Sequence, residues 1–179
     1  MGFVSNKRIG WMAACALTLA GCSGGGASAP SSAVPDATTD FFKALPAHFA
    51  QPIVPANNPM TAAKVELGRH LFYEERLSGN STQSCATCHL QAKAFTDGLV
   101  TPTGSTGSVH PRNAQSLANA AYNTSFNWAN PTLTEMEAQN LLPIINQDPV
   151  ELGVNDSNQA TVLMRFKTDA GYVRLFVQA

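Results

Sequence analysis

Ser84-Cys85-Ala86-Thr87-Cys88-His89 sets two thiols three residues apart and an imidazole directly after the second. Cys-Ala-Thr-Cys-His is a C-x-x-C-H pattern, the attachment site for haem c. The two thiols add across the vinyl groups of one porphyrin. The adjacent imidazole then reaches the iron from one face, which makes His89 the expected proximal ligand and a main lever on iron chemistry. A redox dithiol or half of a zinc site is the other use of paired cysteines. Those need a thioredoxin-like βαβ context or a second ligand pair, and the sequence offers neither.

The start of the chain reads as an export address. Lys7 and Arg8 form a basic n-region, and Ile9 to Ala20 is an apolar stretch too short to span a membrane. Leu19-Ala20-Gly21-Cys22 then resembles a bacterial lipobox. Residues 1–21 are thus expected to be a lipoprotein signal peptide, with Cys22 as a lipidated N-terminus; an ordinary signal peptide cut nearby is the alternative. Both readings put the mature protein in the periplasm or cell envelope, where covalent haem attachment takes place in bacteria. Of the four cysteines, Cys15 lies in the signal, Cys22 would carry lipid, and Cys85 and Cys88 would carry haem, so no pair remains for a disulfide. Without Lys7 and Arg8, nine basic side chains face twelve acidic ones, a balance with no basic stripe for nucleic acid. Residues 22–39 read as a flexible tether, rich in Gly, Ser and Ala at first.

Residues 40–179 are expected to form one all-α domain of the cytochrome c type. Thr61 predicts an N-cap for a helix from Ala62 to about Arg76, with Val65, Gly68 and Phe72 on one face and Leu67 and Leu71 beside them. Gly68 inside it costs about 1 kcal/mol against Ala; it marks either a close approach or a tolerated surface position. Gln91 to Pro111 is rich in Gly, Thr and Ser and reads as a long loop, of the kind that in compact domains is usually functional or disordered. An Ala-rich helix is expected from Pro111 to about Asn123. Thr132-Leu133-Thr134-Glu135 has the form of a capping box opening a helix to about Leu142, which Pro143 would stop or kink. Val162, Leu163 and Phe166 predict another helix, and Tyr172, Leu175 and Phe176 a last one.

Several separated motifs share one likeness. Leu67-Gly68-Arg69-His70-Leu71-Phe72-Tyr73, Arg76-Leu77-Ser78, Ser84 to His89, Ala94-Phe95-Thr96-Asp97-Gly98, Arg112-Asn113, Ser116-Leu117 and Ala121-Tyr122-Asn123 followed by Trp128 together resemble the bacterial dihaem cytochrome c peroxidase and MauG superfamily. The wording around Asn58-Pro59-Met60 and from Gly104 to Arg112 is most similar to the MbnH-type branch, associated with methanobactin operons. Members have two haem c domains. This chain has one C-x-x-C-H, so the resemblance implies the N-terminal, peroxide-reacting half, with the second haem domain missing. A complete monohaem cytochrome is the alternative.

The resemblance also implies site residues. The family sets a Gln, a Pro and a Glu over the distal face of the haem, and the matching positions are Gln139, Pro143 and Glu151. The stretch from Pro143 to Glu151 is two residues longer than in the simple peroxidases, but Pro149-Val150-Glu151-Leu152-Gly153 still reads like the family's Pro-x-Glu-Met-Gly. Glu151 is the implied general acid/base, since a carboxyl in an apolar pocket is shifted toward neutral pH; a solvated loop acid is the alternative, and Gln139 could equally be an exposed helix residue. Some members carry a distal His in the loop before Arg-Asn. That position falls near Ser105 here, which implies a standing open site, with His110 either able to swing onto iron or hydrogen-bonded locally. His70 reads as structural or exposed, and His48 carries no chemical signal. Trp128 matches an electron relay between the haems, or is a core aromatic. Asn113 matches a ligand of an interdomain calcium. Arg112 would pair with a haem propionate or with a structural carboxylate.

The expected function is therefore a haem-dependent oxidoreductase using hydrogen peroxide, as a dihaem cytochrome c peroxidase or a MauG- or MbnH-like enzyme. Electrons would arrive through a second haem from a protein donor or protein substrate. The rival is a small electron-transfer cytochrome without catalysis, which needs a permanent sixth ligand from Met136, Met164 or His110.

Overall fold

A computed structural model describes residues 45–127 and 129–179. The signal peptide, the tether, the lipid anchor at Cys22 and Trp128 lie outside them. The described residues are helical: α1 is Ala62–Phe72, α2 Cys85–Cys88, α3 Met136–Ile145, α4 Gln159–Lys167 and α5 Ala170–Gln178. No strand occurs among them, only three isolated bridges within loops. The fold is all-α, as expected.

Thr61 caps α1 as the sequence predicts, its hydroxyl oxygen accepting the Lys64 N–H at 3.2 Å. The helix ends four residues earlier than expected. Its continuation is broken at Glu74, whose backbone is extended and whose carboxylate turns back onto the Arg76 N–H at 2.9 Å. A 3-10 turn, Glu75–Leu77, follows. The inward face also differs from the expected one. Leu67 is buried with Leu71 packed beside it, whereas Val65 is exposed. No described protein atom lies within 4 Å of where a Cβ on Gly68 would sit, so it marks no close approach between described elements.

The core is small and sits where α1, α4 and α5 meet. Leu67, Val154, Val162, Phe166 and Tyr172 are buried together, with Leu71, Leu77, Ile144 and Leu175 packed against them. Phe166 and Tyr172 meet edge to face at 4.8 Å, the arrangement favoured by the ring quadrupole. Deleting the Phe166 ring leaves a cavity within this buried cluster. Phe166→Ala is expected to cost about 3–5 kcal/mol in chemical denaturation of the haem-loaded protein.

Two arginines tie the loops before the haem motif to this core. Arg165 on α4 donates to the carbonyls of Arg76 at 2.7 Å, Ser78 at 2.7 Å and Gly79 at 3.0 Å. Arg76 pairs with Glu74 at 2.8 Å and Asp169 at 3.1 Å, and lies over the Tyr172 ring. The Tyr172 hydroxyl donates to Glu74 at 2.8 Å. The Arg76 guanidinium holds the Glu74 carboxyl down at about 2 against an ordinary 4.5, while burial and then Glu74 push the Tyr172 hydroxyl up to about 12. A carboxyl depressed in the folded state stabilises above its unfolded value, and that contribution is lost as pH falls through the folded one. Folding stability is expected to drop between pH about 4.5 and about 2. Arg76→Met should flatten that portion of the denaturation-midpoint profile.

Two further elements depart from expectation. Residues 111–123 form no helix beyond a 3-10 turn at Ala120–Tyr122. Ser116 donates to Ala94 O at 2.6 Å and accepts from its own Ala118 N–H, and Asn119 is left-handed; such local side-chain bonds compete with helix. Nor does the 132–135 box form. Asn130 captures the Thr132 N–H and hydroxyl instead, and α3 begins at Met136. Pro143 does not stop α3, which runs on to Ile145. The reason lies in its last carbonyls: Pro143 O accepts Leu152 N–H at 2.9 Å and Ile144 O accepts Val154 N–H at 3.0 Å. The end of α3 is thereby capped by the segment that carries Glu151.

Candidate functional site

Helix α2 is a single turn containing both thiols. Thr87 Oγ1 accepts the Ser84 N–H at 3.0 Å and holds the turn at its start, and the His89 N–H closes onto Cys85 O at 3.0 Å. The His89 ring is aimed by the next loop. Its Nδ1 meets Phe95 O at 2.8 Å. A carbonyl only accepts, so Nδ1 carries the proton and Nε2 is left as the basic nitrogen. The loop reaches that position because Ala94 and Phe95 are both left-handed, at φ 54° and 60°, unusual for residues with a Cβ. Two thiols and one oriented Nε2 are the donor set that haem c needs, and the residues present fit it.

Glu151 lies in the same neighbourhood. It is half-buried, and burial pushes its carboxyl above the ordinary range, with the nearby His110 and His89 acting in the other direction. In return its charge adds to the burial that raises the unmodified Cys85 thiol, and, after burial and Asp97, to the rise of the Cys88 thiol to about 11. Two loops hold it there. From the loop at 102–110, the Ser105 N–H donates to Glu151 O at 2.8 Å and His110 Nε2 donates to Val150 O at 3.1 Å. Gly104 packs directly on this segment, and a Cβ there would overlap Val150 O. From the loop before the haem motif, Asn80 donates to Ser105 O at 2.7 Å, Gln83 donates to Thr103 O at 3.0 Å and the Gly79 N–H donates to Leu152 O at 2.7 Å.

Gln139 is half-buried on α3, one turn before Pro143 and on the same face. Its Oε1 accepts from Asn127 Nδ2 at 3.1 Å. Since Pro143 O binds the Leu152 N–H and Ile144 O the Val154 N–H, the helix bearing Gln139 and the segment bearing Glu151 are joined directly. Arg112 and Asn113 are exposed. Among the described residues no group of three His, Cys, Asp or Glu side chains converges as a metal site. Of the candidate sixth ligands, Met164 is exposed, Met136 is half-buried at the start of α3, and His110 is engaged with Val150 O. Sequence reasoning did not single out Gly104, the Phe95 carbonyl or Arg165, and treated His110 as a local bond or a stray ligand. His110-Pro111 beside the Arg-Asn motif was the signal that could have raised its standing.

Comparison with known proteins places these features in a family. Residues 62–179 match the family described as di-haem cytochrome c peroxidase. The chain is 34% identical over 155 residues to the methylamine utilization protein MauG of Methylorubrum extorquens, covering 85% of this chain and 42% of that protein. It is 46% identical over 86 residues to cytochrome-c peroxidase IdrP1 of Denitromonas iodatirespirans, covering 48% and 23%. A solved structure described as a MauG-like protein associated with microbial copper homeostasis is similar at 49% identity with a TM-score of 0.72, over 74% of this chain and 38% of that one. The chain thus spans less than half the length of these relatives. From α1 through α5, more than half its length, the chain belongs to the di-haem cytochrome c peroxidase family.

Proposed function

We propose that this chain carries the peroxide-reacting haem site of an oxidoreductase. The observation that carries the reading is the half-buried Glu151 carboxyl, on a segment held by two loops in the electrostatic neighbourhood of Cys85, Cys88 and His89. Cys85 and Cys88 would hold haem c covalently and His89 Nε2 would ligate its iron. The haem, when bound, supplies the redox-active iron at which the O–O bond is broken. His89 Nδ1, fixed on Phe95 O, keeps the ring from turning and keeps Nε2 basic. Glu151 accepts the proton from the oxygen that binds and delivers it to the oxygen that leaves. Its raised affinity for a proton suits it to both transfers. Gln139 orients the same peroxide through its amide.

Reduction of one peroxide to two waters takes two electrons and two protons. The electrons come from outside this domain, with Trp128 as the relay toward a second haem. Asn113 supplies a carbonyl to a calcium shared with that second domain, and Arg112 meets a propionate. The protein is exported and lipid-anchored at Cys22. Two outputs fit: a peroxidase drawing on a small cytochrome or copper protein, and a MauG-like enzyme drawing on an aromatic residue of a partner protein. The likeness to a MauG-like protein associated with copper homeostasis supports the second, in the MbnH-type branch.

The test is peroxide turnover by the full-length, haem-loaded protein. Peroxide consumption that oxidises either two equivalents of a reduced one-electron donor or an aromatic residue on a protein substrate is expected. Failure to consume peroxide with the haem attached and pre-reduced would overturn the reading.

A further inference from the structure

We propose that His110 is a positioning residue for Glu151, setting where its carboxyl stands by anchoring the peptide unit in front of it. The inference rests on the reading of Glu151 given above. Glu151 is bracketed by two bonds from one loop. The carbonyl before it, Val150 O, is held by His110 Nε2 at 3.1 Å, and its own carbonyl is held by the Ser105 N–H at 2.8 Å. The first is the only one of the pair made by a side chain, and so the only one a substitution can remove without altering the loop's backbone. His110 is itself fixed, its N–H donating to Pro102 O at 3.0 Å. Gly104 lies between the two anchors, with a virtual Cβ 2.9 Å from the Val150 carbonyl carbon and 3.2 Å from Glu151 Cα. The segment therefore sits flush on the loop, and the imidazole pulls it there.

The bond also assigns the imidazole's state. A carbonyl only accepts, so Nε2 bears a proton while the bond lasts and is not available to a metal. His110 would have to release Val150 to become an iron ligand. A misplacement of about 1 Å at an acid/base group costs on the order of 100-fold, so loss of this anchor should be visible in any reaction that Glu151 assists.

Cyanide supplies a second readout, because hydrogen cyanide must lose its proton to bind ferric haem. In the full-length haem-loaded protein, His110→Ala is expected to slow both cyanide association and the peroxide reaction by about 10–100-fold with haem content unchanged. His110→Gln, whose amide can still donate to Val150 O, should recover most of the rate. Adding His110→Ala to Glu151→Gln should slow neither reaction further. The inference is overturned if Glu151→Gln is slow while His110→Ala keeps the unmodified protein's rates, if His110→Ala slows the Glu151→Gln protein as much as it slows the parent, or if His110→Ala turns a low-spin haem high-spin, which would make His110 a ligand. Unchanged rates in Glu151→Gln alone would instead remove the role of Glu151 itself.

Discussion

Glu151→Gln is expected to lower the rate of the peroxide reaction by about 10²–10⁴-fold while haem remains attached. Glutamine keeps the size of the side chain and its ability to hydrogen-bond, but it cannot accept and return a proton at neutral pH. The backbone bonds that place residue 151 come from Ser105 and His110 and do not involve its side chain, so the loop should hold. The proposed attachment rests on Cys85, Cys88 and His89, none of which the substitution touches. Burial raises the Glu151 carboxyl and the nearby His110 and His89 oppose that rise, so the group is suited to change protonation during turnover. Stopped-flow absorption with peroxide measures the rate. A variant as fast as the parent would take the acid/base role from Glu151.

Gly104→Ala is expected to be nearly as damaging, although the residue bears no functional group. A methyl at this position would overlap Val150 O and come within 2.9 Å of the carbonyl carbon, both rigid backbone atoms. Either the 102–110 loop or the 150–153 segment must move, and both are tied to their neighbours by hydrogen bonds. The expected outcome is an overpacking cost of about 1–3 kcal/mol in chemical denaturation. Displacing Glu151 by about 1 Å should cost a further loss of rate on the order of 100-fold. Parent-like stability and rate would show that the contact between Gly104 and Val150 is not tight.

Much of the fold was legible in the sequence where one local rule acted unopposed. Thr61 fixed the start of α1, and the apolar spacing of Val162 with Phe166 and of Tyr172 with Leu175 fixed α4 and α5. The misreadings fall where local polar side chains outcompete helix. Residues 111–123 have helical composition, yet the Ser116 hydroxyl spends its bonding on loop geometry and Asn119 is left-handed. Thr132 looked like a cap, but Asn130 two residues earlier takes its hydroxyl and N–H. Pro143 looked like a stop because its missing N–H is a local fact, while the amides of Leu152 and Val154 that sustain the last turn come from further along the chain.

The site divides in the same way. Cys85, Cys88 and His89 are candidates by their spacing, and Gln139 and Glu151 by resemblance. The supports of Glu151 could not be read that way, because His110, Gly104 and Ser105 all act on backbone atoms of a segment at least forty residues further along the chain, and a contact to backbone leaves no side-chain partner to read. Arg165 is hidden for that reason too, since it binds three carbonyls and no carboxylate.

The most direct measurement is the visible absorption spectrum of the full-length, haem-loaded ferric protein before and after stoichiometric peroxide. A high-spin spectrum that peroxide converts to a new species, and that an added reductant returns to the start, is the predicted result. A six-coordinate low-spin spectrum indifferent to peroxide, even after partial reduction, would contradict the account and leave an electron-transfer cytochrome in its place.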